Sequence, residues 1–216
     1  MRIAINGAFW GMDTTGSGQY LMALLPEMAR LAPDDAFDLV LPGRLDAPAD
    51  ALPWGVHRAP TPLDRLSGNL AKVWFEQAAF PRACRRLGAD LAHVPYLAPP
   101  LRAPAPVAVT VHDLIPIVLP EYRGTALVRL YMRLASAGTR RAALVLTDSH
   151  ASARDIERVL GVPAERIRVI YLAAHPRYRP QTPAECRPVI DRLALPSRYI
   201  LYLGGFDRRK NVPALL

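Results

Sequence analysis

The alternation of strand-like and helix-like segments along this chain predicts an α/β fold, a doubly wound parallel sheet with helices on both faces. Two further observations support that class. Val107-Ala108-Val109-Thr110-Val111 is almost wholly β-branched or small and apolar with no polar alternation, as expected of a strand covered on both sides. That run ends at His112-Asp113, and Pro116 keeps the following residues from extending it. Polar side chains at the carboxyl end of a buried strand sit where open α/β sheets bind ligands.

The elements follow in order. Residues 2–6 form a first strand and 7–16 a loop. Residues 17–32 read as a helix, because Tyr20, Leu21, Leu24, Leu25, Met28 and Leu31 share one face, and Pro26 is expected to kink it or end its first part. A second strand covers 37–41, and the proline-rich stretch 42–67 is expected to be mostly loop with a short strand at 56–59. Residues 70–87 are helical with a break at Pro81, and Trp74, Phe75 and Ala78 are expected to face the core. Strand 90–94 and a proline-rich segment lead to the run at 107–111. Next come a helix at 125–141, a strand at 143–147, a helix at 149–160 that Ser149 caps and Gly161 ends, and a strand at 166–171. The polar, proline-bearing stretch after His175 reads as a linker, and Tyr199-Ile200-Leu201-Tyr202-Leu203 as a new strand. The domains expected are therefore 1–174, a linker at 175–198, and at 199–216 the truncated start of a second domain, since one strand and part of a helix cannot form a core.

Composition narrows the class. Apolar content of 51% and charged content of 21% belong to a globular protein, and no run approaches the length of a membrane span or a signal peptide. Cys84 and Cys186 lie far apart without metal-ligand spacing, which fits a reduced, cytoplasmic chain with no metal. The net charge of +8 is almost all arginine, for Lys72 and Lys210 are the only lysines. Such a balance suits phosphate-bearing ligands or peripheral contact with an anionic membrane at its inner face. It does not indicate nucleic acid, because the arginines are spread and no nucleic-acid motif accompanies them. Helix arginines such as Arg82, Arg85, Arg129 and Arg133 read as solvated faces or as a basic rim toward lipid.

Among single residues, His112 is the candidate for chemistry, because a neutral imidazole both donates and accepts a hydrogen bond. Asp113 is either an acceptor-side group or a cap on the next segment, and His93 and His150 read as structural. Gly16-Ser17-Gly18-Gln19-Tyr20-Leu21 resembles a dinucleotide fingerprint only superficially: the third glycine is Leu21 and the loop before it is too long for the tight phosphate turn.

An ordered set of motifs carries a resemblance over nearly the whole chain. Thr15-Gly16-Ser17-Gly18-Gln19-Tyr20, Trp74-Phe75-Glu76-Gln77, Gly88-Ala89-Asp90-Leu91-Ala92-His93-Val94-Pro95 and Thr110-Val111-His112-Asp113-Leu114-Ile115-Pro116 are followed by Thr147-Asp148-Ser149, Glu165-Arg166-Ile167-Arg168-Val169-Ile170 and Leu203-Gly204-Gly205-Phe206-Asp207-Arg208-Arg209-Lys210-Asn211. In this order they resemble a family 4 glycosyltransferase of the two-domain, Rossmann-like GT-B type. The resemblance implies a retaining, metal-independent hexosyltransferase, mannosyl transfer among its options, that needs no cofactor. Its partners would be a nucleotide diphosphate-sugar donor and a glycan or lipid-linked acceptor in cell-surface polysaccharide synthesis. It places His112 near the transferred sugar, Gly16 and Gly18 beside the donor diphosphate, and Arg209 and Lys210 on that diphosphate. The family's arginine after the glycine that ends the second-domain strand is Gly205 here, and its paired glutamates, which hold the donor ribose and sugar, would lie past Leu216. The 216-residue chain alone is then expected to lack transferase activity. The competing class is a stand-alone domain that binds a glycan or a protein without catalysis.

Overall fold

Seven segments with little polar alternation pair into one all-parallel sheet, in the order β3-β2-β1-β4-β5-β6-β7. The strands are β1 (Arg2–Asn6), β2 (Ala36–Pro42), β3 (Gly55–Ala59), β4 (Leu91–Val94), β5 (Val107–Thr110), β6 (Leu144–Thr147) and β7 (Ile167–Val169). The structure is a computed structural model and describes residues 1–46 and 52–215. It divides into two compact units, Met1–Ala173 and Ala174–Leu216, and the sheet belongs to the first.

Period-two alternation along the strands sorts the core onto two faces. On one, Ile3, Ile5, Leu39 and Leu41 pack against Leu21 and Leu25 of α1 (Gly16–Leu31). On the other, Ala4, Val94, Val109 and Val145 meet Phe75, Phe80, Ile156 and Leu160. Each large side chain fully buried this way contributes about 1.5–3 kcal/mol. The chain runs outward from β1 to β3, then crosses back to β4 on the far side of β1. The strand order therefore reverses between β1 and β4, which opens a crevice at their carboxyl ends.

Proline proves a weaker breaker here than its covalent structure suggests. Helix α1 runs through Pro26, which is exposed. The helix expected from residue 70 begins two residues earlier as α2 (Gly68–Trp74), capped by the Ser67 hydroxyl. It is not broken at Pro81: a π turn (Phe75–Ala79) leads into α3 (Phe80–Leu87). A widened turn moves carbonyls off the proline ring and spares the bond that its missing N–H cannot make. Gly88 ends α3 in the left-handed conformation. Phe75 is fully buried as expected, whereas Trp74 is exposed.

Two short helical pieces, α4 (Ile115–Val118) and a 3-10 turn (Pro120–Tyr122), precede α5 (Ala126–Arg141). Ser149 caps α6 (His150–Asp155), a second π turn (Ile156–Leu160) continues it, and Gly161 closes it. The strand expected at 166–171 is limited to β7, and the short strand expected at 56–59 starts one residue earlier as β3. Part of the loop expected between 42 and 67 lies outside the described residues.

The second unit corrects two expectations. The stretch read as linker contains α7 (Pro183–Arg192), started by a capping box in which Thr182 and Glu185 serve each other's backbone. No strand forms at 199–203, where Ile200, Leu201 and Leu203 are exposed, because no neighbouring strand in the unit offers backbone partners. No helix among the described residues is long and apolar enough to cross a membrane.

Candidate active site

The site grows out of sheet register. β5 and β6 pair in parallel with Thr110 opposite Leu146, so the residue two beyond each, His112 and Asp148, emerge side by side at the carboxyl edge. The His112 Nδ1 lies 2.7 Å from Asp148 Oδ2. That carboxylate accepts from Nδ1–H and so fixes the ring's tautomer and orientation. The Ser152 hydroxyl donates to the His112 carbonyl at 2.9 Å, tying the histidine's backbone to α6. Tyr20 of α1 sets its ring edge-on to the imidazole, with centroids 4.8 Å apart. His112 Nε2 is buried and has no hydrogen-bond partner among the described residues.

Beneath this pair, Thr110 Oγ1 lies 3.1 Å from His93 Nε2 and 3.4 Å from the Tyr20 hydroxyl. Burial pushes His93 down to about 4, so it stays neutral and structural, in keeping with its reading from sequence. Asp113 is exposed and accepts from the Ile115 N–H at 3.0 Å, which makes it a turn residue.

A second polar cluster sits at the reversal point itself. Asn6 ends β1, and its Oδ1 accepts from Ala8 N–H at 3.0 Å and from the Tyr96 hydroxyl at 3.3 Å, while its Nδ2 is buried without a partner among the described residues. Tyr96 also reaches Glu76 Oε1 at 2.9 Å, and the Tyr131 hydroxyl bonds both Glu76 oxygens at 3.0 and 3.1 Å. Lys72, one helical turn before Glu76, donates to Glu76 and to Tyr131. Its ammonium lies 5.9, 5.1 and 4.6 Å from the ring centroids of Phe9, Tyr96 and Tyr131, a cation held among three aromatic faces. Desolvation raises the Glu76 carboxyl above its ordinary range, opposed by the Lys72 charge. Both tyrosine hydroxyls are raised, first by burial and then by that carboxylate.

Of the residues read from sequence as a site, the structure brings His112 into a dyad with Asp148 and makes Asp113 a turn. Gly16 and Gly18 open α1, where the Thr15 side chain accepts from Gly18 N–H at 3.1 Å. A Cβ on Gly18 would lie 2.0 Å from the Met12 carbonyl oxygen, whereas one on Gly16 would meet nothing within 4 Å. Gly18 is thus required by close packing of its own loop, and its N–H is already used. The N–H groups of Gly16 and Ser17, at the start of α1, have no hydrogen-bond partner among the described residues. Arg209 and Lys210 stand in an exposed 3-10 turn of the second unit, capped by Asp207. Among the described residues no group of three or more His, Cys, Asp or Glu is placed to hold a metal ion.

Sequence reading missed Asp148 as a partner and the whole Lys72 cluster. One signal was present: Lys72 and Glu76 are four apart, the spacing of a helical ion pair, and Lys72 is the one lysine of the first unit in an arginine-rich chain.

Comparison with known proteins agrees with this architecture. Over 108 residues, half of this chain, it is 37% identical to the O-antigen chain mannosyltransferase B of Escherichia coli, of which that stretch is 28%. Crystal structures of Anabaena HepE superpose on 90% of the chain with a TM-score of 0.53 and 19% identity for the complex with UDP and glucose, and 0.54 and 20% for that with UDP-glucose. The lipopolysaccharide outer core galactosyltransferase WaaB in its apo form covers 81% with a TM-score of 0.51 and 12% identity. The chain spans 50% of the HepE chain and 46% of WaaB. At these identities the structures speak for the fold, a Rossmann-like sheet similar to those of GT-B glycosyltransferases. Residues 14–177 match the model of Glycosyltransferase Family 4 and contain both polar clusters except Asn6 and Phe9. With the match extending over most of its length, the chain belongs to Glycosyltransferase Family 4.

Proposed function

We propose that this chain is the acceptor-side half of a retaining, metal-independent glycosyltransferase. It moves a hexosyl group, mannosyl by analogy with the Escherichia coli relative, from a nucleoside diphosphate-sugar to a glycan or lipid-linked acceptor. The setting is cell-surface polysaccharide synthesis on the cytoplasmic side of the membrane. The observation that carries the reading is the His112–Asp148 pair at the carboxyl edge of a Family 4 sheet.

The chemistry follows from the geometry. Asp148 occupies Nδ1, so Nε2 is the ring atom left to hydrogen-bond the transferred sugar or the attacking hydroxyl. A departing diphosphate gains negative charge, and donors fixed in advance stabilise it in the transition state. In the first unit the α1 start supplies such donors through Gly16 and Ser17, while Gly18 shapes the loop. In the second unit Arg209 and Lys210 are the cations assigned to the diphosphate.

The test is transfer of radiolabelled sugar from a panel of nucleoside diphosphate-sugars. It is run on the 216-residue chain and on any longer polypeptide containing it. In an active polypeptide, His112→Ala should lower turnover by roughly ten- to a thousandfold with circular dichroism unchanged. Near-normal turnover in the folded variant would reject the role of His112. Glycan binding without transfer from any donor would favour the non-catalytic reading.

A further inference from the structure

The sheet face that carries α1 changes character across its width. On β1 and β2 it presents Ile3, Ile5, Leu39 and Leu41, against which Leu21 and Leu25 of α1 pack. Register carries the same face onward, because Ile5 lies opposite His93 and His93 opposite Ala108. Thr110, two residues past Ala108 on β5, therefore points to that side as well. Here the face is polar: His93 and Thr110 are buried, with 3.1 Å between His93 Nε2 and the threonine hydroxyl.

Tyr20 stands where the two halves meet. It precedes Leu21 on α1 but belongs to neither apolar cluster of the core. Its hydroxyl lies 3.4 Å from Thr110 Oγ1, and its ring meets the His112 imidazole at 82°, with centroids 4.8 Å apart. Whichever oxygen donates, Thr110 engages the phenol, and it is the ring that meets His112. Burial raises the hydroxyl above its ordinary value, against the Thr110 bond that lowers it, so the phenol stays protonated.

His112 needs such a contact. Asp148 holds the imidazole at one atom, Nδ1, and the side chain is 24% exposed. The torsion that turns an imidazole is broad rather than sharply staggered, so one hydrogen bond leaves the ring free to swing about that anchor. A second ring standing across it removes the swing, and Nε2 then points one way. We propose that Tyr20 is a positioning residue of the transfer site: held by Thr110, its ring fixes the plane of the His112 imidazole and so the direction of Nε2. This deepens the role proposed for His112 and rests on it for its purpose. Its first measurement uses no sugar donor.

The imidazole of His112 is followed by nitrogen-15 magnetic resonance in the 216-residue chain, its signals assigned by their loss in His112→Gln. The wild type should show a single tautomer protonated at Nδ1. Tyr20→Leu, with native circular dichroism, should move those signals toward the average of the two tautomers and speed exchange of the Nδ1 proton by about tenfold or more. Tyr20→Phe keeps the ring but not its tether and should speed that exchange by about two- to threefold. Leu24→Ala, one turn further along α1, should leave the signals unchanged. In an active polypeptide Tyr20→Leu should lower kcat by about ten- to a hundredfold with the donor KM within about threefold, and Tyr20→Phe should recover most of the loss. A wild-type spectrum in folded Tyr20→Leu, or an equal effect of Leu24→Ala, overturns the proposal. Should the leucine variant fail to fold, a wild-type exchange rate in Tyr20→Phe overturns it. An unchanged spectrum with sugar transfer intact rejects the role of Tyr20 alone, whereas an ordered ring without transfer from any donor rejects the reading of His112 and leaves the Tyr20 contact in place.

Discussion

His93 shows how a single titratable side chain ties the fold to pH. It is buried between β1 and β5 with one partner, Thr110, and burial lowers it from the usual 6.5 to about 4. Between those values the unfolded chain binds a proton that the folded chain refuses, so stability falls as pH drops through that window. The full effect is on the order of 3 kcal/mol. We predict that His93→Gln, which removes the titration but can still bond Thr110, loses less stability than the wild type between pH 7 and pH 4; urea unfolding at the two values measures it. Equal losses would refute the assignment. Legibility at this scale follows the same physics. His112 could be read from sequence because a histidine ending an apolar run is conspicuous, whereas Asp148 needed strand register to become its partner. What a sequence could not show at Gly18 is the Met12 carbonyl that its missing side chain admits.

At the scale of elements, Lys72 and Glu76 clamp α2 and the π turn after it to Tyr131 of α5 and to Tyr96 beyond β4, which in turn bonds Asn6 at the end of β1. Lys72 is about a quarter exposed, but Glu76 is not exposed at all. Losing the lysine therefore strands a buried carboxylate, and losses of this kind cost about 3–5 kcal/mol at the upper end, less here because water reaches the lysine side. We predict that Lys72→Met destabilises the protein at pH 7 and that the deficit shrinks toward pH 5. Without its cation Glu76 titrates higher in the folded than in the unfolded state, so the folded chain binds more protons and gains stability as pH falls. Thermal unfolding across that range decides it, and a deficit independent of pH would count against a stranded carboxylate. The helices were legible from periodicity and caps, and α7 could have been, since Thr182 and Glu185 spell a capping box. What could not be read is how a π turn admits Pro81, because that compensation lies in neighbouring backbone rather than in residue type.

At the scale of the whole molecule, apolar sequence becomes a strand only where another strand lends it partners. β5 and the stretch 199–203 are both largely apolar, yet β5 lies between β4 and β6 while most of the latter stands exposed in the second unit. Native-state hydrogen exchange should accordingly find the amides of β1, β4 and β5 the slowest in the chain and those of 199–203 among the fastest. Strong protection at 199–203 would mean that the segment has found a sheet. The fold class was legible because a two-sided parallel sheet writes itself as unbroken apolar runs; the second unit was not, because its structure depends on neighbours.

The register that joins His112 to Asp148 also sets the moment at which the site comes into being. The two residues are 36 positions apart, and nothing holds them together until β6 has docked beside β5. A chain still emerging from synthesis, or one whose β6 has come loose, carries both side chains and no dyad. The pairing is thereby withheld from every form in which β6 has not docked, and the imidazole of His112 becomes a natural reporter, by its magnetic resonance, of the docking of β6 on β5.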